Sequence, residues 1–208
     1  MAPMSLNTAL QDFYREHGFG DVLGARPKTV RVYTGCLLVP LPNIETRYRY
    51  LKYHDLHHLV TGYSVGRIGE GQISAWELGT GSMRKSPILG LMNLIALSTG
   101  WVLDRQKMWA AFCRGRRSRN LYSAKRRSQV DDGTWSTIDE LRADTLDCEP
   151  NTSIRRRDRI IYFSYVVLSL GIHASIAIPA MIVRTISDLS QGKSVRKVIQ
   201  PSPRTDLF

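Results

Sequence analysis

Apolar and polar positions along this chain alternate mostly at the helical period. Residues 5–16 ("SLNTALQDFYRE") place Leu6, Leu10 and Phe13 on one face and predict a short amphipathic helix. The glycine-punctuated stretch "HGFGDVLGARPKT" that follows reads as loop. Residues 30–41 alternate in a strand-like way, but Pro40 and Pro42 interrupt them and no partner strand is evident. That segment is expected to be extended or irregular. Residues 44–61 and 70–80 read as two helices, separated by Gly62, Gly66 and Gly69. Residues 87–113 read as one long apolar helix, with Pro87 in its first turn. A further helix is expected across the basic run and another from Thr137 to Thr145. Ser136 or Thr137 would be the N-cap of the latter, with acids early in the helix. Residues 128–134 and 147–155 read as loops, and the chain has no repeats or low-complexity tracts.

One apolar run is long enough to matter by length alone. Ile160–Val183 holds 24 residues and no charged side chain. As a helix it would span about 36 Å, against about 30 Å for a bilayer's hydrocarbon core. "RRRDR" precedes it and Arg184, Lys193, Arg196 and Lys197 follow, so flanking charge gives no orientation. The expected fold class is therefore all-α. Residues 1–150 would form one helical domain, and 151–208 a basic linker, a membrane-embedded apolar helix (160–183) and a basic tail.

The net charge is +11, and it is unevenly placed. From Arg105 to Arg127 there are nine Lys/Arg residues and no acid. No nucleic-acid-binding module accompanies them, so nucleic acid is not expected as a partner. Apolar segments on either side favour attraction to anionic lipid headgroups instead. Cys36, Cys113 and Cys148 are widely spaced and odd in number, which argues against a disulfide framework and fits a reducing compartment. The N-terminus lacks the charged-then-apolar pattern of a secretory signal.

The candidate chemistry lies between residues 54 and 70. Three of the five histidines (His54, His57, His58) fall within five positions, with Asp55 among them. On a helix His54 and His58 share a face, and Asp55 sits about 100° round. An unbroken helix would carry Glu70 roughly 160° away. A helix that ends near Gly62, turns, and reopens near Glu70 would bring that carboxylate back to the imidazoles. The spacing thus implies helix–loop–helix with His54, Asp55, His58 and Glu70 as ligands of a divalent metal. His57 points elsewhere and is expected to support the site or face solvent.

These residues also carry a resemblance. "YHDLHHLVTGYSVGRIGEGQISAWEL" resembles the signature of the COQ-four family of ubiquinone (coenzyme Q) biosynthesis, H-D-x-x-H, eleven residues, then E. "AAFCRGRRSRNL" and "WSTIDELRADTL" resemble the family's G-R-x-A/S-x-x-L segment and its closing tryptophan-to-E-x-R block, so the likeness covers roughly residues 5–148. It implies an all-α fold, a divalent metal, usually given as zinc, and an apolar channel for a polyprenylated ring; the ligand types themselves leave iron, cobalt and manganese open. It implies decarboxylation, in one version oxidative, at ring carbon one of a ubiquinone precursor, and organisation of the other ubiquinone-biosynthesis enzymes. Expected partners are the polyprenylated quinone precursor and membrane lipids, with a homodimer left open. The expected place is the cytoplasmic face of a bacterial inner membrane or the matrix face of the mitochondrial one. Two segments depart from the pattern: "TGCLLVPLPNIETRYR" (34–49), and the apolar run and basic tail past the usual end.

Arg116 and Arg117 are candidates to meet a substrate anion or lipid phosphate. A membrane di-iron oxygenase would need about eight histidines in three boxes, and this chain has too few. A zinc protease of the H-E-x-x-H type would need Glu where Asp55 stands. The competing reading is a non-catalytic, metal-stabilised scaffold that binds polyprenyl lipid.

Overall fold

The structure is a computed structural model that describes residues 4–17, 29–34, 37–42, 45–146, 148 and 153–192. The fold is all-α. Its elements are α1 (Leu6–Glu16), a hairpin of β1 (Thr29–Thr34) and β2 (Leu37–Pro42), α2 (Glu45–Thr61), α3 (Arg67–Gly79), α4 (Ser82–Lys85), α5 (Pro87–Leu103), α6 (Arg105–Arg116), α7 (Ala124–Asp131), α8 (Ile138–Thr145) and α9 (Arg156–Ser190).

Three helices form the centre. α3 lies against both α5 and α6, and glycines set the spacing. Gly71 of α3 meets Gly100 of α5 backbone to backbone, and Gly79 of α3 meets Phe112 and Gly115 of α6. A Cβ at any of these positions would push helix axes apart. The core between them holds Ile73, Trp76, Leu94, Leu97, Met108 and Phe112, joined by Tyr162 and Val166 from α9. A second core lies under α1, α2 and α8, around Leu6, Leu10, Leu56, Val60, Leu121, Tyr122 and Leu141. The N-terminus of α1 is tied to the start of α8 by the Leu6 amide, which donates to Ser136 O at 3.0 Å.

Four local expectations change. Residues 29–34 and 37–42 form an antiparallel ribbon in which Val32 pairs with Val39 and Arg31 with Pro40. In a two-stranded ribbon each strand keeps a free edge, where the missing N–H of a proline is tolerated. The ribbon rests against α5 and α9. The long helix of 87–113 breaks at Asp104, whose side chain accepts from the Lys107 amide and starts α6 as an N-cap. α7 extends helix into the expected loop as far as Asp131. Finally, α9 is 35 residues long and carries Pro179 inside it, so it exceeds the predicted apolar run at both ends. Thr137, one of the two N-caps expected for α8, fills that role by accepting from the Glu140 amide.

Several arginines, four of them (Arg114, Arg116, Arg126 and Arg127) in the basic block, are engaged within the fold. Arg114 donates to Thr61 O at 2.9 Å, and Arg142 donates to Val60 O and Leu59 O, both at 3.1 Å. Two arginines thus close the carbonyl end of α2, where cations also oppose the negative end of the helix dipole. Arg126 pairs with Asp144 and covers the Trp135 ring. Arg127 lies over the Tyr50 ring and donates to Tyr122 O.

Candidate metal centre

Helix α2 ends as the glycines require. Gly62 has φ of 76°, a left-handed conformation that side chains resist, and its amide closes on His58 O at 2.8 Å. The chain then turns through Tyr63–Gly66 and reopens as α3, with Glu70 in its first turn. The turn brings His54, His58 and Glu70 together. Each offers one ligand atom, and the three atoms lie within 4.8 Å of one another. Glu70 is the bridge, with Oε2 at 3.6 Å from His54 Nε2 and Oε1 at 3.5 Å from His58 Nε2. Ligand atoms bound to one tetrahedral ion at about 2.0–2.2 Å lie about 3.3–3.5 Å apart. The two contacts end on different oxygens of Glu70, each at about that spacing, and both are too long for good hydrogen bonds.

The imidazole tautomers agree with this. His58 Nδ1–H donates to Tyr63 O at 2.9 Å, which leaves Nε2 as the lone-pair end. That nitrogen is buried without a hydrogen-bond partner. A buried orphan atom is costly unless something fills the space in front of it, and here two other ligand atoms face the same space. His54 Nδ1–H donates to Glu77 Oε1 at 3.0 Å, which again turns Nε2 toward Glu70. A metal-bound histidine usually donates its other N–H to a carboxylate or carbonyl, and both histidines here have such an acceptor. Three such ligands would leave a fourth position of a tetrahedral ion for exchange. The Glu70 side chain is 39% exposed and that of His54 23%, so the open side reaches solvent. The donors present therefore fit a divalent ion.

No protein-family model, no curated protein and no solved structure matches this chain. The site therefore stands on its own geometry.

The structure treats the other candidates differently. Asp55 is buried and lies outside the group of three. Its carboxylate accepts from the Tyr14 hydroxyl, and burial raises its pKa against the pull of His54 and His58. Phe13 stacks on His58 with ring centroids 6.1 Å apart, so α1 roofs the site. His57 is fully buried and supports the site. Arg116 is committed elsewhere, with Nε 2.9 Å from Asp158 at the start of α9 and Nη1 donating to Gly79 O. Arg117 is half-buried at the C-terminus of α6, with its Nε enclosed.

Sequence reasoning missed Glu77. It is fully buried, two turns beyond Glu70 on the same face of α3. Its seven-residue spacing from Glu70 was the available signal. Tyr122 and Asn93, which donate to it, had no sequence signal at all.

Charge at the centre follows from these contacts. Burial opposes a charge on His54, but Glu77 and Glu70 outweigh it and lift its pKa well above the ordinary imidazole value. Burial likewise pushes Glu70 up, yet His58 and His54 overcome it and hold the carboxyl far below its usual range. Without metal the centre thus keeps a proton on His54 that loading must displace. A raised pKa makes that proton harder to remove, so affinity falls as pH drops and rises as pH climbs toward the His54 value. Calorimetric titration should show proton release on loading, and weaker binding at about pH 6 than at about pH 8.

Proposed function

We propose that this chain is a membrane-associated, divalent-metal protein of ubiquinone biosynthesis, one that removes the ring carboxyl group at carbon one of a polyprenylated benzoate precursor. The observation that carries the reading is the closure of H-D-x-x-H-x11-E into a three-ligand cluster whose His58 Nε2 is buried and unpartnered. The motif's resemblance to the COQ-four signature supplies the substrate class, and zinc is the preferred ion.

In this reading His54, His58 and Glu70 would hold the ion, which would supply Lewis-acid polarisation of a ring oxygen. The chain's own residues do the rest. Glu70 bridges the two imidazoles and leaves the solvent-reaching side free for the ring. Phe13 closes the site from above, next to His58. When carbon dioxide leaves, an electron pair remains on ring carbon one. A proton must take it, so that carbon dioxide is replaced on the ring by hydrogen. Asp55, buried and hydrogen-bonded to Tyr14 beside the ligands, is the group placed to carry a proton there.

The apolar flank supports the membrane half of the reading. α9 is the one helix among the described residues long and apolar enough to cross a bilayer, over Arg156–Pro179, and most of its apolar window there is not buried in the fold. Ile160, Phe163, Val167 and Ile178 on α9, with Ile88, Leu91 and Val102 on α5, are exposed. At the N-terminal end of α9, Arg156 and Arg159 head an open trough that continues over Ile160, Phe163 and Val167, a match for a phosphate headgroup and its chain.

The test is carbon dioxide release from a carboxyl-labelled polyprenyl hydroxybenzoate by metal-loaded protein in vesicles. Turnover in wild type that disappears in folded His54→Ala supports the reading. Turnover that survives in that variant places the chemistry elsewhere. Lost partner binding with no wild-type turnover favours the scaffold.

A further inference from the structure

We infer that Glu77 is the positioning residue of the metal centre, a buried carboxylate that fixes the tautomer and orientation of His54 and ties the ligand helix to the loop at 120–122. The inference rests on the metal-binding reading and deepens it, because Glu77 lies outside the ligand motif.

Its surroundings are unusually complete. Glu77 has no solvent exposure. Oε1 accepts from His54 Nδ1 at 3.0 Å, His57 Nδ1 at 2.8 Å and the Tyr122 hydroxyl at 2.6 Å. Oε2 accepts from Asn93 Nδ2 at 2.9 Å. The tautomer of His57 is fixed independently, since its Nε2 accepts from the Leu121 amide at 2.9 Å. Its Nδ1 must therefore carry the proton given to Glu77.

A carboxylate satisfied by four donors can be no more than a structural polar network. What points further is the second end of one donor. With Nδ1–H of His54 committed to Glu77, Nε2 is the end that must give up its proton when an ion is bound, and that end lies 3.6 Å from Glu70 Oε2. Glu77 thus selects the tautomer that binding needs and holds the ring plane by a hydrogen bond. Tyr122 and Asn93 hold Glu77 in turn. The His57–Leu121 contact joins α2 to a loop 64 residues away, so both ligand-bearing helices and the loop meet at this one side chain. Charge agrees as well, because Glu70 and Glu77 bring two negative charges to two neutral imidazoles and thus balance a divalent cation.

The experiment is a cobalt(II) titration of full-length, detergent-purified protein, followed by the absorption of the bound ion. It compares wild type, Glu77→Gln and Tyr122→Phe, with imidazole nitrogen spectra of the zinc-loaded wild type. Glu77→Gln should fold and keep the stoichiometry but bind about 10–100-fold more weakly. Tyr122→Phe leaves Glu77 with both imidazoles and should lose less. The His54 ring should show a protonated Nδ1 and a metal-bound Nε2. Folded Glu77→Gln that binds as tightly as wild type overturns the inference, and so does a loss in Tyr122→Phe as large as that in Glu77→Gln. If Glu77→Gln does not fold, the wild-type spectra decide, and metal on His54 Nδ1 overturns the inference. Wild type that takes up no cobalt removes the metal reading along with it, whereas tight wild-type binding that Glu77→Gln leaves intact removes this inference alone.

Discussion

His58→Ala and Glu70→Gln are expected to yield folded proteins that hold no divalent metal, where wild type holds about one equivalent. The chain supplies three ligand atoms, so losing one leaves two, too few to hold an ion against chelation or dialysis. Neither change should unfold the protein. Glu70 is partly exposed, and Gln keeps its volume. At His58 the loss is a single hydrogen bond to Tyr63 O, worth about 0.5–1.5 kcal/mol, together with some packing under Phe13. Asp55→Asn is the control that separates the two ligand sets. Asp55 lies outside the cluster, so the variant should keep its metal. Elemental analysis of detergent-purified protein reads all four samples. Metal retained in Glu70→Gln would take Glu70 out of the site. Metal lost in Asp55→Asn would restore the four-ligand set that spacing alone implies. Wild type without metal would leave the cluster as a polar feature of the core.

The candidate ligands were legible because their relations are local. His54 and His58 share a helix face by the i, i+4 rule, and Gly62 marks the turn that lets Glu70 return. The support behind them was not legible, because it is tertiary. Tyr122 reaches Glu77 across 45 residues and Leu121 reaches His57 across 64. The arginines that close the end of α2 were not legible for the same reason. Arg114 and Arg142 look like surface charge in sequence, yet they cap the carbonyls of α2, which only the folded chain brings near. Asp104 carried a local signal, an aspartate three residues before the Lys107 amide that it caps, hidden at the border between apolar and basic runs. The ribbon of 29–42 escaped because its prolines argue against a central strand, and a lone hairpin has no central strand. α9 was legible as apolar and long. That it contributes Tyr162 and Val166 to the main core was not, since its inward residues are no more apolar than its outward ones.

That two-faced character gives the second large effect, in which neighbouring positions should behave in opposite ways. Val166 is 3% exposed and Val167 is 70% exposed. Val166→Asp places an unpaired carboxylate among Leu94, Phe112 and Tyr162. The cost is several kcal/mol, a large part of the roughly 5–15 kcal/mol that holds a domain together. The variant should lose its cooperative melting transition or fail to accumulate. Val167→Asp touches none of that core and should melt as wild type does. Its effect should appear only with lipid present. An acid in place of an apolar residue at the centre of a membrane helix costs about 3 kcal/mol, roughly a hundredfold in partitioning. Flotation with vesicles of anionic phospholipid measures it, and the expected result is a folded protein that stays in the aqueous fraction. Inward packing alone would predict a different pair of results, with Val166→Asp unfolded and Val167→Asp floating like wild type. That pair would mean that Val167 stays outside the hydrocarbon and that the protein meets the vesicle by another surface. Raised salt separates the two contributions to binding. The arginines at the N-terminal end of α9 act through screened charge and should lose their share, while the contribution of Phe163, Val167 and Ile178 should persist.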